Sequence, residues 1–341
     1  MSAKQRDGIR KVPTKPRLPR ILRQLALLFS VIAVLIVSVG FIAFREADKV
    51  MRFEPVPLQT IASNIMPRYS LTSFMSIDGQ TSLSGWLFPA RGEARSTIIM
   101  VHDILQNRLQ FGLDTPYLFE ELTESGFNVL AFDLRHSGQS AGPLSGYGYA
   151  EWEDVVAAIS YVRKNTATRD VILYGFGSGS SAVLLALDHL PDPDAEQSRL
   201  PLKLQELGFD KTYVKGIMLD SPAASADSYI SALYKQGNLF DRVLLKNTVP
   251  YAVRMSAGSD NRSQLTTVLT RQQLPVFISY SKNDNRIGSE SIEPLVREQL
   301  RLHPDTTLIH KLAEPGSVAG FMLEREAYLA TIADYFRRFF D

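Results

Sequence analysis

Between Ser96 and Leu312 the chain repeats one pattern: a short, almost wholly apolar run, then a longer run with its apolar residues on one helical face. The short runs are "STIIMVHD", "FNVLAFDLR", "DVILYG", "VKGIMLDSP", "LPVFISYSKND" and "TTLIHKL". Among the longer ones, "TPYLFEELTESG" sets Tyr117, Leu118 and Leu122 at helical spacing and stops at Gly126. "AEWEDVVAAISYVRKN" does the same with Trp152, Val155, Val156, Ile159 and Val162, and "EREAYLATIADYFRRFF" closes the chain with Tyr328, Ile332, Phe336 and Phe339 on one face. Continuous apolar strands joined by helices predict an α/β unit, a mainly parallel sheet covered by helices on both faces. Ser73–Phe88 alternates apolar and polar residues around "DGQ" and predicts a hairpin leading into it. Two segments break the rhythm. Pro191–Lys211 reads as a loop with a short amphipathic piece, and Ala226–Gln273 as helices forming a small cap, about 225–273, over one end of the sheet.

Ahead of this unit, Leu25–Phe44 is a run of twenty residues without a charge. At about 1.5 Å per residue a helix of that length spans roughly 30 Å, the hydrocarbon thickness of a bilayer. Residues 1–24 carry eight Lys/Arg against one acid, a charge of +7; with +1 for the whole chain, the remainder carries −6. Positive charge stays on the cytoplasmic side. The expected order is therefore a basic cytoplasmic tail (1–24), a transmembrane helix (25–44), a stalk (45–70) containing Pro55, Pro57 and Pro67, and an extracytoplasmic domain (71–341). A cleaved signal peptide is the competing reading, but its apolar core runs to about 7–15 residues, and "GFIAFREADK" makes a poor cut site. The lipid bilayer is thus an expected partner. A mildly acidic body argues against nucleic acid. The chain has no cysteine, which excludes disulfides, thiolate metal sites and a cysteine nucleophile. No metal-ligand spacing and no cofactor motif are present; "NDN" (283–285) matches only a fragment of a calcium loop.

Five segments, in order, resemble the α/β-hydrolase superfamily, in particular its branch of membrane-associated serine esterases and acylglycerol lipases. They are "IIMVHD", "NVLAFDLRHSGQSAG", "ILYGFGSGSSAVLLAL", "GIMLDSPAAS" and "LPVFISYSKNDNRI". The resemblance covers about residues 70–340 and implies the α/β-hydrolase fold, with a Ser–acid–His triad in that chain order and backbone N–H groups stabilising an oxyanion. The triad positions depart from the pattern. Where the family has Gly-x-Ser-x-Gly, this chain reads Gly175-Phe176-Gly177-Ser178-Gly179: the nucleophile position is Gly177, which keeps the turn at little steric cost and removes the hydroxyl. Ser178, one residue along, is the alternative nucleophile, but at a helix start it more naturally caps or donates its N–H; Ser180 and Ser181 are weaker still. Asp284 falls at the acid position; read without the family, an Asp after a strand caps a turn. The histidine position, in "AEPGSVAGFMLEREAY", holds Ser317 or Val318. None of the five histidines is a convincing substitute: His102 and His136 read as structural, His189 and His303 stand at helix ends, and His310 lies upstream in the last strand, at about 3.3 Å per residue roughly 20 Å away.

The oxyanion donors implied by the resemblance are the N–H groups of Ile104 and Ser178, but the family's His-Gly is here His102-Asp103, which brings a carboxylate into the oxyanion loop. Loss of both nucleophile and base, with the scaffold motifs readable, implies a membrane-anchored hydrolase-fold protein without ordinary serine-hydrolase activity, working as a binding or interaction module. A pocket under the cap, with Phe176, would hold an apolar or acyl-like small ligand. The alternatives are an active esterase, lipase or peptidase with a shifted nucleophile such as Ser178, and a purely structural protein whose pocket has closed.

Overall fold

In a computed structural model, residues 20–62, 64–259 and 262–341 are described; most of the basic tail, residues 1–19, lies outside them. The chain divides into two units, Met1–Ile42 and Ala43–Asp341. The first helix, α1 (Arg20–Met51), runs through the boundary. From Ile21 it is long and apolar enough to cross a membrane. It does not stop at Phe44. Ala43, Ala47 and Met51 recur four residues apart, and all three are buried in the second unit.

The expected stalk is therefore corrected at its start. Residues 45–51 are helical, and residues 50–57 are stitched to the domain rather than standing free of it. Ser145 N–H donates to Met51 O at 2.9 Å, the Tyr147 hydroxyl to Val50 O at 3.2 Å, and Asn107 Nδ2 reaches Val56 O at 3.3 Å. His136 places Nε2 2.8 Å from Phe53 O and Nδ1 3.1 Å from Gly142 O, which gives this imidazole its structural role.

The second unit follows the pattern read from the sequence. Its elements are β1 (Ser70–Met75), β2 (Ser82–Phe88), β3 (Ser96–Val101), α2 (Thr115–Glu124), β4 (Phe127–Phe132), α3 (Trp152–Asn165), β5 (Val171–Phe176), α4 (Ser178–His189), α5 (Leu202–Gln205) and β6 (Val214–Asp220). They continue with α6 (Asp227–Ala232), α7 (Lys246–Ser256), α8 (Leu265–Arg271), β7 (Val276–Ser281), α9 (Ser289–Leu302), β8 (Thr307–Leu312), α10 (Gly320–Leu323) and α11 (Arg325–Phe339). The eight strands form one sheet in the order β1-β2-β4-β3-β5-β6-β7-β8. β1 and β2 pair antiparallel, β2 joins β4 antiparallel, and every pairing from β4 to β8 is parallel.

Alternation along the parallel strands divides the core. Ile98, Met100, Ile172, Tyr174, Phe176 and Met218 share one cluster with α2 and α11, whose Leu118, Phe119, Ile332 and Phe336 cover that face. Helices α3, α4, α8 and α9 pack against one another on the other. In α3 the acidic Glu153 and Asp154 stand in the first turn and Arg163 and Lys164 in the last, each sign where the helix dipole favours it. The helices α6 to α8 make up the segment expected to be a cap.

Candidate active site

Strand β5 runs into α4 through Gly177, whose φ of 51° and ψ of −121° lie where an L side chain is strained. The flanking glycines are there for close approach: a Cβ on Gly175 would lie 2.6 Å from Ser180 Cα, and one on Gly179 2.3 Å from Val101 O. The sharp strand-to-helix bend is thus intact. What would be its apex side chain is replaced from elsewhere. A Cβ built on Gly177 would meet the carboxylate carbon and both oxygens of Asp103, all at 2.3 Å.

Asp103 leaves the loop after β3 and turns inward, 3% exposed. Its Oδ1 accepts from Ile104 N–H at 2.8 Å, from Ser178 N–H at 2.8 Å and from the Ser178 hydroxyl at 3.0 Å. The resemblance implied an oxyanion role for those two N–H groups, and the structure brings them together on one acceptor. Ser178 therefore donates its N–H into the site; its Oγ makes no helix cap but also accepts from Ile104 N–H at 2.8 Å. The charge on Asp103 is met by Arg286, which approaches it with both terminal nitrogens: Nη2 lies 3.0 Å from Oδ1, and Nη1 contacts Oδ2. Burial works against the guanidinium charge, but the Asp103 carboxylate more than offsets this and raises the Arg286 pKa. The guanidinium also lies 5.3 Å from the centroid of the Tyr229 ring. Tyr229, on α6, sets its hydroxyl 2.7 Å from both Gly177 O and Ser221 O, so the cap segment touches the bend directly.

Asp284 stands on the loop after β7 and is 7% exposed. Its Oδ1 accepts from the N–H groups of Arg286 at 2.9 Å and Ile287 at 2.8 Å, a turn-capping pattern that fixes the segment presenting Arg286. Its Oδ2 is buried without a hydrogen-bond partner. At the expected histidine position, Val318 adopts φ of 53°, unusual for a β-branched residue, and its N–H donates to Ser221 Oγ at 2.8 Å. Ser317 Oγ is buried and likewise unpartnered.

Every imidazole is engaged away from Asp284. His102 sets Nδ1 2.8 Å from Asp103 O and accepts from Leu134 N–H at 2.9 Å; burial holds its pKa down. His189 bonds Leu185 O, His303 bonds Thr270 O, and His310 lies 3.3 Å from Ser279 Oγ and 3.4 Å from Glu324. The sequence placed Phe176 in a pocket under the cap, whereas the structure places it in the core. Its side chain is fully buried against Tyr174 and Phe111, because residues alternate along β5 and it falls on the α2/α11 face. The cavity bordered by Asp103, Ile104 and Ser178 measures about 10 Å³, room for roughly one water. A larger one of about 660 Å³ lies elsewhere, between Trp152, His189, Lys203 and Arg271.

Three participants were not singled out in the sequence: Arg286, Tyr229 and Asp220. Asp220, at the end of β6, is fully buried beneath the bend. It accepts from the Tyr328 hydroxyl at 2.9 Å, and its own carbonyl accepts from Gly177 N–H at 2.8 Å. Burial pushes its pKa up to about 7; hydrogen bonds from Tyr328 and Ser221 work against this, and the charges of Asp103 and Asp284 add to it. A signal for Arg286 did exist. An Asp placed in the oxyanion loop requires a cation if it turns inward, and Arg286 stands two residues beyond the acid position.

No family model matches the chain. It is 35% identical over 244 residues, 70% of each chain, to the uncharacterized protein YqkD of Bacillus subtilis. Among solved structures it is similar to the esterase Pf2001 of Pyrococcus furiosus, with 17% identity over 85% of this chain and 100% of that one and a TM-score of 0.63. It is similar also to the α/β hydrolase GrgF of Penicillium sp. sh18 (16% identity, 80% and 99%, TM-score 0.51). A third likeness is to the acylaminoacyl peptidase of Pyrococcus horikoshii (14% identity, 80% and 42%, TM-score 0.55). At these identities the structural likenesses establish the fold.

Proposed function

We propose that the chain, which has the α/β-hydrolase fold and is related to YqkD, is a membrane-anchored hydrolase-fold protein without ordinary serine-hydrolase activity, its domain serving as a binding or interaction module. One observation carries the reading: the Asp103 carboxylate lies where a nucleophilic side chain at position 177 would start, and it already holds both oxyanion donors. Acyl transfer needs a nucleophile, a base and vacant donors aimed at the developing oxyanion. Here position 177 has no hydroxyl, no imidazole reaches Asp284, and the donors face a resident anion.

The competing reading takes Ser178 as a shifted nucleophile, and its hydroxyl contact with the Asp103 carboxylate is what favours it. Against it, that carboxylate is committed to Arg286, and Ser178 is 4% exposed. A fluorophosphonate probe separates the two. The full-length protein is expected to remain unlabelled; labelling that disappears in Ser178→Ala would overturn the inactive reading.

The anchor reading, N-terminus inside and domain outside, is supported by the +7 tail and by the burial of Ala43, Ala47 and Met51, which ties the helix to the domain beyond any cut near Phe44. The natural absence of cysteine makes the test direct. A single Leu202→Cys, at a position 84% exposed, is expected to react with a membrane-impermeant maleimide in intact cells. Ser2→Cys should react only after lysis. The opposite pattern would reverse the topology.

A further inference from the structure

The site at the bend is closed by a group that is itself a ligand in form. Cut between Cα and Cβ, the aspartate side chain is an acetate ion. Around it stand two backbone donors from separate segments, Ile104 and Ser178, one hydroxyl and one guanidinium. The two oxygens are used differently. Oδ1 takes both N–H groups, the hydroxyl and Arg286 Nη2, while Oδ2 faces Arg286 Nη1. A planar carboxylate facing a guanidinium fork through both oxygens is the strong geometry for this pair, and the donors are fixed by the backbone before any anion arrives. Arg286 is held in turn: Asp284 Oδ1 fixes its backbone N–H, and its guanidinium rests against the Tyr229 ring.

We propose that this donor set is a binding site for a monocarboxylate, and that Asp103 is its tethered occupant, so that a free carboxylic acid enters only as the Asp103 side chain leaves. The assignment rests on the reading that the bend no longer performs acyl transfer, and it names the ligand class of that same site. The choice of a carboxylate over other anions follows from the occupant: Arg286 meets both oxygens of a planar carboxylate, the side chain that carries them is 3% exposed, and the adjoining cavity of about 10 Å³ holds roughly one water. The retained Gly177 belongs to the same device, since any Cβ there would collide with the occupant. No bond is made or broken; binding exchanges one carboxylate for another on unchanged donors.

The test removes the tether and supplies the ion. In the full-length chain in detergent, Asp103→Gly opens a space matching acetate. Its thermal midpoint is expected to rise saturably with sodium acetate and not with sodium chloride at equal ionic strength, as for any ligand that binds only the folded state. Wild type should need at least tenfold more acetate for the same rise, because its own carboxylate competes. The response should vanish in Asp103→Gly combined with Arg286→Gln. Octanoate is expected to need a higher concentration than acetate, because the adjoining cavity of about 10 Å³ has no room for its chain. Should Asp103→Gly not fold in chloride, acetate during expression is expected to recover it, and Asp103→Ala serves as a second variant. No acetate response beyond chloride in either variant, a response that survives Arg286→Gln, or a wild type as sensitive as Asp103→Gly would each overturn the proposal. Fluorophosphonate labelling of wild type reports separately on catalysis, so failure of one reading is distinguishable from failure of the other.

Discussion

A serine cannot be set at position 177 while Asp103 keeps its place. The new Cβ would lie 2.3 Å from three atoms of the carboxylate, and the backbone there, at φ 51°, adds strain of about 1–3 kcal/mol for a non-glycine residue. Gly177→Ser alone is therefore expected to lower the thermal midpoint, and Asp103→Gly on top of it to recover most of the loss. The same logic orders any attempt to rebuild catalysis. Gly177→Ser with Val318→His, or with Ser317→His, should hydrolyse an activated p-nitrophenyl ester no better than wild type, whereas adding Asp103→Gly should produce measurable turnover. Turnover without that third change would mean that Asp103 moves aside freely. The glycine at the bend and the absence of histidine from residues 313–328 were legible because each is an identity at a numbered place in the sequence. The direction taken by Asp103 was not. A sequence records a charge but not the side of the chain it faces, and the cation that draws this one inward stands 183 residues away.

The end of α1 depends on a stripe rather than on the uncharged run before it. Charges at Arg45, Glu46, Asp48 and Lys49 suggest that the helix ends at the membrane, yet Glu46–Lys49 and Asp48–Arg52 pair along its surface and support further turns. The opposite face, Ala43, Ala47 and Met51, is buried, and residues 50–57 then lie against Asn107, His136 and the 143–147 segment. A soluble form beginning at residue 43 should unfold at a clearly higher temperature than one beginning at residue 58, because the shorter form leaves Asn107 Nδ2, Ser145 N–H and His136 Nε2 without their partners. Equal midpoints would return residues 43–57 to the status of a stalk. The strands and long helices were readable because burial on both faces of a sheet, or on one face of a helix, imposes a period on the sequence. A strap has none. Its contacts are single hydrogen bonds from backbone carbonyls, to which any residue contributes alike.

Three carboxylates, Asp103, Asp220 and Asp284, lie close enough in the middle of the fold for the first and last to raise the pKa of the second, and Arg286 pairs with Asp103. Asp220 bears the consequence. Fully buried, it titrates at about 7 in the folded protein against 3.8 for the free side chain. Between these values the native state holds a proton that the unfolded chain has released, so stability falls as pH rises from about 4 to about 7 and is level above that. The penalty is on the order of a few kcal/mol, against the roughly 5–15 kcal/mol that holds a typical domain together. Asp220→Asn keeps an acceptor for the Tyr328 hydroxyl and carries no charge. The variant and wild type should therefore be of similar stability near pH 4 and diverge in favour of the variant up to pH 8, measured by urea unfolding across that range. Divergence in the opposite direction would mean that the ionised form is the one the fold prefers. A difference that does not change with pH would assign the effect to packing around Tyr174 and Tyr328, and would remove electrostatic strain among the three carboxylates from the account of this molecule.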